Sequence, residues 1–251
     1  MNIWILQTGE PIHSDNSHFR PMRAMNLTNK LIEKGHKVLL WTSAFDHQNK
    51  IHRSEKYQII NHSKNLEIRL IPSRGYKKHL GIERIIDHIQ MAQNLRIILQ
   101  KERIFPDLVF IGFPPIELAS VMASWAAKNK IPTILDVKDL WPKIFVDVFP
   151  NYLKPLAKMV FYPYYFMARK TFRKVSGLCS MTQNYINWCQ EFSNRPPSNL
   201  DIVSRLTVEK IEPKKNEEKI SSEKWKSHGV LSNKENIFFA GTFSTAFDFD
   251  T

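Results

Sequence analysis

The sequence predicts a doubly wound α/β domain: a Rossmann-like parallel sheet with helices on both faces. Three observations predict it. Short apolar runs of strand length recur through residues 1–205, helical stretches alternate with them, and Pro and Gly punctuate the helix starts and ends.

Residues 2–7 (NIWILQ) form a first buried strand that ends at Thr8-Gly9-Glu10-Pro11. A polar loop runs to Phe19. Pro21 opens a helix with Met22, Met25, Leu27, Leu31 and Ile32 on its apolar face, and Gly35 closes it. Residues 37–42 (KVLLWT) are a second strand. This completes a βαβ unit, which implies parallel strands and a right-handed crossover. Residues 66–71 (LEIRLI) are the next strand, and 82–103 a long helix with Ile85, Ile86, Ile89, Leu95 and Ile98 on its apolar face. A short buried strand at 108–111, an Ala-rich helix at 115–128 and a strand at 133–137 follow. Residues 153–174 read as one helix, with Pro155 near its start and a kink at Pro163. The pattern ends with a strand at 178–181, a helix at 182–192 capped by Thr182, and a strand at 201–204.

Residues 206–235 are rich in Lys and Glu and poor in large apolar side chains except Trp225. They read as an exposed linker with a short helix around 222–228. Residues 236–242 (NIFFAGT) read as a buried strand entering a Gly turn, with too little chain after it for a helix and a pairing strand. The expected organisation is one complete domain at 1–205, a linker at 206–235, and the start of a truncated second domain at 236–251.

A hydrophobic fraction of 43% with 16 Phe is ample for a core and excludes a disordered chain. The formal charge of +12 favours anionic partners: nucleic acid, phosphorylated substrates or an acidic membrane face. A basic protein without a charged ligand is the plainer alternative. Two cysteines, Cys179 and Cys189, make neither a disulfide framework nor a metal site, and fit the cytoplasm. No run of 18 apolar residues exists to span a membrane, and the first residues lack the charge and length of a signal peptide. The nine His residues have no metal-ligand spacing, so no metal is expected. G-x-G-x-x-G, P-loop and nucleophile-elbow motifs are absent.

Ligands of open α/β sheets bind at the carboxyl ends of the strands. Three segments fall there. Gly9 and Glu10 precede a helix start carrying Arg20 and Arg23. Two arginines three apart at a helix N-terminus suit a phosphate clamp. Otherwise they pair with Glu10 or Asp15, or face water. Asp136-Val137-Lys138-Asp139 gathers two carboxylates and a lysine, and a carboxylate there can accept a proton from a hydroxyl nucleophile. Alternatively, Asp139 caps the following turn and Asp136 pairs with an arginine. Phe113, between Gly112 and Pro114-Pro115, packs either on a ligand or in the core.

The stretch 153–174 interleaves aromatics such as Phe161 and Tyr165 with Lys158, Arg169 and Arg173. That composition suits an interfacial helix on an anionic membrane. It also suits RNA, or a domain helix with an aromatic core face and a solvated basic face.

Six segments taken in order resemble a known family: WILQTGEP (4–11), RPMRAMN (20–26), KGHKVLLWT (34–42), FDH (45–47), DLVFIGFPP (107–115) and DVKDLWP (136–142). The set is similar to the N-terminal domain of family 4 glycosyltransferases of the GT-B fold, especially bacterial enzymes of O-antigen, capsule and colanic-acid assembly. The closing FAGT resembles the first strand and Gly turn of that family's C-terminal domain.

The resemblance implies retaining transfer of a hexosyl or N-acetylhexosaminyl group. The donor would be a nucleotide sugar and the acceptor an undecaprenyl-diphosphate-linked saccharide, at the cytoplasmic face of the plasma membrane. It implies neither metal nor cofactor, and nucleic acid is not an expected partner. Under it, Asp136 and Asp139 are the catalytic candidates. Gly9, Glu10, Arg20, Arg23, Phe113 and Lys138 bind the acceptor, and Lys158, Phe161, Tyr165, Arg169 and Arg173 touch the membrane. Many family members carry His where this chain has Lys138, and close relatives have Arg-Asp there, which leaves the roles of Asp136 and Asp139 open. Because the family's donor contacts lie mostly in its second domain, the chain is expected to need that half for turnover. A binding module without catalysis is the other reading.

Overall fold

Strand pleating turns Trp4 and Leu6 to one face of a central sheet and Ile5 to the other, and each face gathers its own core. The computed structural model describes residues 1–15, 21–78, 81–206, 215–231 and 233–238. The chain divides into two units, Met1–Thr207 and Val208–Thr251.

In the first unit the elements run β1 (Asn2–Leu6), α1 (Arg23–Glu33), β2 (Lys37–Ser43), β3 (Phe45–Asp46), β4 (Ile51–His52), β5 (Gln58–Ser63), β6 (Leu66–Ile71) and α2 (Ile82–Lys101). They continue with β7 (Leu108–Phe113), α3 (Ile116–Lys128), β8 (Thr133–Val137), α4 (Lys143–Asp147), α5 (Lys154–Val160), α6 (Tyr162–Lys174), β9 (Gly177–Ser180), α7 (Gln183–Ser193) and β10 (Ile202–Val203). In the second unit, α8 spans Lys215–Ser227.

The sheet order is β10-β9-β8-β7-β1-β2-β6-β5, and every pairing is parallel except β5 with β6. The chain winds outward from β1 through β2 and β6, then returns to β7 on the other side of β1. That reversal makes β1/β7 the topological switch point, where the carboxyl ends of two strands part and leave a crevice. The doubly wound α/β class read from the sequence is the observed one.

One core packs the sheet against α2, α3, α6 and α7. At its centre Trp4 stacks on Trp125, with ring centroids 5.1 Å apart, and leans on Trp41. The other core joins Ile5, Val38 and Leu40 to Leu27, Leu31 and Ile32 of α1. Fully buried side chains of this kind each contribute roughly 1.5–3 kcal/mol.

Several elements differ from the sequence reading. The long helix turns Met91, Ala92, Leu95 and Leu99 to the core, together with Asp87 and His88, and leaves Ile86 and Ile89 exposed. Two apolar stripes run along α2, and only packing against α3 selects between them. The predicted helix at 153–174 is two helices, breaking at Phe161 just before Pro163. An interior proline cannot donate a backbone hydrogen bond, so the chain restarts there. The β3–β4 hairpin and the short α4 (KIFVD) span too few residues to show a period, and the exposed edge strand β5 (QIINHS) is mostly polar, so none carries a strong sequence signal. Thr182 caps α7, its hydroxyl accepting from the Tyr185 amide.

In the second unit, α8 starts earlier and runs longer than the predicted short helix. Residues 236–238 are not in a strand, and Ile237 and Phe238 are exposed. A buried strand needs a sheet to receive it, and the described residues of this unit form a helix and turns. The remainder of the predicted strand and its Gly turn, from Phe239 onward, lies outside the described residues.

Candidate functional site

The crevice at the switch point holds a cavity of about 190 Å³. Its floor is the end of β1 (Gln7, Thr8, Gly9), Ser43 of β2, and Pro114-Pro115 after β7. Lys138 and Asp139 follow β8 on one wall. Phe45 and His47 of the β3 segment, Tyr76, and Arg84, Asp87, His88 and Met91 of α2 form the rest. Pockets that engulf a whole ligand usually run to roughly 300–1,000 Å³. This one has room for only part of such a ligand.

Gln7 shapes the floor. Its side chain lies over Gly112 of β7, so that a Cβ on Gly112 would fall 1.8 Å from Gln7 Oε1. Glycine is required there by close approach.

Glu10 is 5% exposed and works inside the fold. Its Oε2 accepts from the Ala24 amide at 2.8 Å, capping α1, and its Oε1 pairs with Lys138 Nζ. The anion favoured at that helix N-terminus is thus a carboxylate of the protein itself.

Arg23 is also committed. Its Nε lies 2.8 Å from Asp136 Oδ2, one terminal nitrogen donates to the Ser204 carbonyl at 2.8 Å, and the other meets Cys179 Sγ at 3.1 Å. The expected phosphate clamp gives way to a strut between α1, β8 and β9, because a guanidinium with three internal partners has little left for a ligand. Arg20 lies outside the described residues.

Asp136 is 1% exposed. Burial pushes its carboxyl up, while Arg23 and Lys138 oppose the rise. The pleat sends Leu135 and Val137 into the α3-side core and Asp136 to the α1 side, where Arg23 holds it. It does not line the cavity, which removes the expected contact with substrate. Asp139 does line it. Loss of hydration pushes its carboxyl up, against Lys138 and Arg84. Phe113 is fully buried, edge-on to Phe172 at 5.0 Å, and belongs to the core. Gly9 opens onto the cavity, with nothing within 4 Å of an added Cβ.

The sequence reading missed the opposite wall. His47 Nδ1 is hydrogen-bonded to the Tyr76 hydroxyl, and burial pushes that phenol up to about 12. Asp87 accepts from the Gly75 amide at 2.7 Å, and burial raises its carboxyl. Burial, with Arg84 and His47 nearby, pushes the His88 imidazole down to about 3. His88 Nδ1 faces Glu117 Oε2 at 3.8 Å, and the Tyr164 hydroxyl donates to Glu117 Oε1 at 2.8 Å. One signal was available: 88, 91, 92, 95 and 99 follow helical spacing, so a buried Leu95 stripe carries His88 inward.

On the 153–174 stretch, Phe161 packs on Phe145 and Tyr164, and Tyr165 packs on Phe192. These two aromatics serve the fold rather than an outer surface. Arg169 and Arg173 donate to the Phe192 and Ser193 carbonyls at the end of α7, where cations suit the dipole. Lys158 is exposed.

The cavity thus combines a lysine, an arginine, two carboxylates of raised pKa, a neutral imidazole and hydroxyl donors. Such a set hydrogen-bonds a polyhydroxylated ligand and tolerates a negative charge beside it.

No protein-family model matches the sequence, and no curated protein matches it. Among solved structures, a UGT transferase from Siraitia grosvenorii in complex with UDP is similar at 9% identity and a TM-score of 0.45, covering 81% of this chain and 50% of that one. TcCGT1 in complex with UDP is similar at 12% identity and a TM-score of 0.48, covering 88% of this chain and 55% of that one. The chain spans about half the length of these structures.

Proposed function

We propose that the α/β unit is the acceptor-side half of a GT-B glycosyltransferase of family 4 type, acting in bacterial cell-surface polysaccharide assembly. The observation that carries this reading is the cavity at the β1/β7 switch point, with Lys138 and Asp139 at the end of β8. The ordered motifs of the N-terminal 142 residues support it.

In this proposal a lipid-diphosphate-linked saccharide places its reacting sugar in the cavity, and the rest of the acceptor lies outside. Asp139 accepts a hydrogen bond from the attacking hydroxyl and orients it. Lys138 and Arg84 face the negative charge brought by the substrates. The hydroxyl oxygen bonds to the anomeric carbon of the donor, and the bond from that carbon to the nucleoside diphosphate breaks with its electron pair. The hydroxyl proton passes to Asp139 or the departing diphosphate. The donor half belongs to a second α/β domain, in the same or another polypeptide. The site of action is the cytoplasmic face of the plasma membrane.

The test is calorimetric titration of the chain with a short-chain polyprenyl-diphosphate saccharide. Binding is expected, and Lys138→Ala and Asp139→Asn should each weaken it by about 10-fold or more, the worth of a charge-assisted hydrogen bond. Absence of binding, or indifference to both substitutions, overturns the reading. A second reading, saccharide binding without catalysis, is favoured by the commitment of Asp136 to Arg23. It predicts the same titration but no transfer when the donor half is supplied.

A further inference from the structure

Behind the α2 wall of the cavity lies a row of buried polar groups that the proposed transfer does not use. Tyr164 of α6, Glu117 of α3 and His88 of α2 follow one another inward. The Tyr164 hydroxyl donates to Glu117 Oε1 at 2.8 Å, and Glu117 Oε2 faces His88 Nδ1 at 3.8 Å. Glu117 is 6% exposed, and its Oε2 has no hydrogen-bond partner among the described residues. His88 is 5% exposed and lines the cavity. Three helices thus converge on one imidazole.

The ring is also held from its other sides. Tyr76 stands edge-on to it at 6.3 Å, and Trp141 lies 6.3 Å away, tilted by 33°. Burial opposes its protonation most, and Arg84 of α2 and His47 of the β3 segment add to that. A neutral imidazole donates from one nitrogen and accepts at the other, so the partner of the first decides the role of the second.

Glu117 makes that choice. As an ion it would accept from Nδ1–H and leave Nε2 an acceptor. As an acid it would donate to Nδ1 and leave Nε2–H a donor. Its place in the first turn of α3 and the nearby Arg84 favour the ion, but burial outweighs them and raises the carboxyl. Tyr164 occupies Oε1 as a donor, which leaves the acid proton to Oε2, the oxygen that faces the ring. The 3.8 Å gap exceeds a hydrogen bond, and such contacts in binding sites often tighten only once a ligand is seated.

We infer that His88 is the uncharged donor of this cavity, offering Nε2–H to an oxygen of the bound ligand, and that Glu117, held by Tyr164, positions it by fixing this tautomer. A donor of fixed direction and no charge suits a sugar oxygen, and a site built around it rejects a ligand that lacks an oxygen there. Naming a sugar rests on the acceptor reading proposed above, whereas the tautomer does not.

The test reads the ring nitrogens of His88 in the full chain by nitrogen NMR at neutral pH. The Nε2–H form is expected. Glu117→Gln should keep it, because a carboxamide also accepts from Tyr164 and donates to Nδ1. Glu117→Leu should abolish the preference, and Tyr164→Phe, which removes only a hydroxyl and keeps the shape of the core, should weaken it. Titration with the short-chain polyprenyl-diphosphate saccharide supplies a second readout. His88→Ala should weaken binding by about 5-fold, the worth of one hydrogen bond. His88→Gln, whose amide can stand in for Nε2–H, should restore most of that. An Nδ1–H or doubly protonated ring in the unsubstituted chain, or a tautomer indifferent to Tyr164→Phe and Glu117→Leu, overturns the inference. Saccharide binding that His88→Ala leaves unchanged overturns it too, and leaves the acceptor reading standing. The expected tautomers without any saccharide binding would uphold the positioning by Glu117 and sink the acceptor reading.

Discussion

Arg23 near the start of α1 and Asp136 in β8 form a buried ion pair, 2.8 Å between Nε and Oδ2, beside the switch point of the sheet. Their side chains are 12% and 2% exposed. Removing one partner of a buried pair strands the other charge, at a cost of about 3–5 kcal/mol. Arg23→Met should cost that much in urea denaturation at neutral pH. Asp136→Asn should cost less, because Arg23 keeps its bonds to Ser204 and Cys179. Equal, small losses for both variants would refute the strut.

Gly112 and Gln7 make a second close relationship. Gly112→Ala should lose about 1–3 kcal/mol, the cost of overpacking, because the new methyl occupies the position of the Gln7 amide. The double variant Gln7→Ala with Gly112→Ala should regain part of that loss, and the Leu6 carbonyl, 3.2 Å from the added Cβ, limits the recovery. Additive losses in the two single variants would show that the side chains do not compete for the same space.

His88 couples stability to acidity. Its imidazole sits at about 3 in the folded chain against an ordinary 6.5, mainly because burial opposes the charge. The unfolded chain therefore takes up a proton in that window and the folded chain does not. Stability should fall as pH drops from 6.5 toward 3, by about 1.4 kcal/mol per unit. Glu117 acts in the opposite sense. Burial raises its carboxyl, so its contribution is full below the ordinary 4.5 and is lost as pH rises through its folded value. Above 4.5 the two partly offset each other, and the steepest acid loss should lie below 4.5, where Glu117 is protonated in both states and His88 acts alone. His88→Gln should flatten the profile from neutral pH downward. An unchanged slope in guanidinium denaturation across that range would show that another group carries the acid sensitivity.

The class of the domain follows from local periodicity. Apolar runs such as those of β1, β2 and β6 mark strands buried on both faces, helical spacing marks the segments between them, and Thr182 announces the start of α7. These signals are local: each depends on a few neighbouring residues and on the fixed periods of helix and strand. The cleft was half legible for the same reason, since Gly9, Lys138 and Asp139 sit at strand ends that the periodicity locates.

Which partner lies opposite each charge depends on the assembled fold. Lys138 meets Glu10 across 128 positions of chain, and no local period records such a pair. Asp136 turned to Arg23 rather than to the cavity because one step of the pleat reverses the face. Phe113 entered the core because Phe172 of α6 waits on that side of the sheet. Along α2 the isoleucine stripe and the His88–Leu95 stripe are comparable in sequence. The choice fell to whichever stripe found α3 to pack against, and that choice carried Asp87 and His88 to the cavity. Burial against a distant element is a property of the assembled sheet, and the free energy that selects it exists only once those distant surfaces have met.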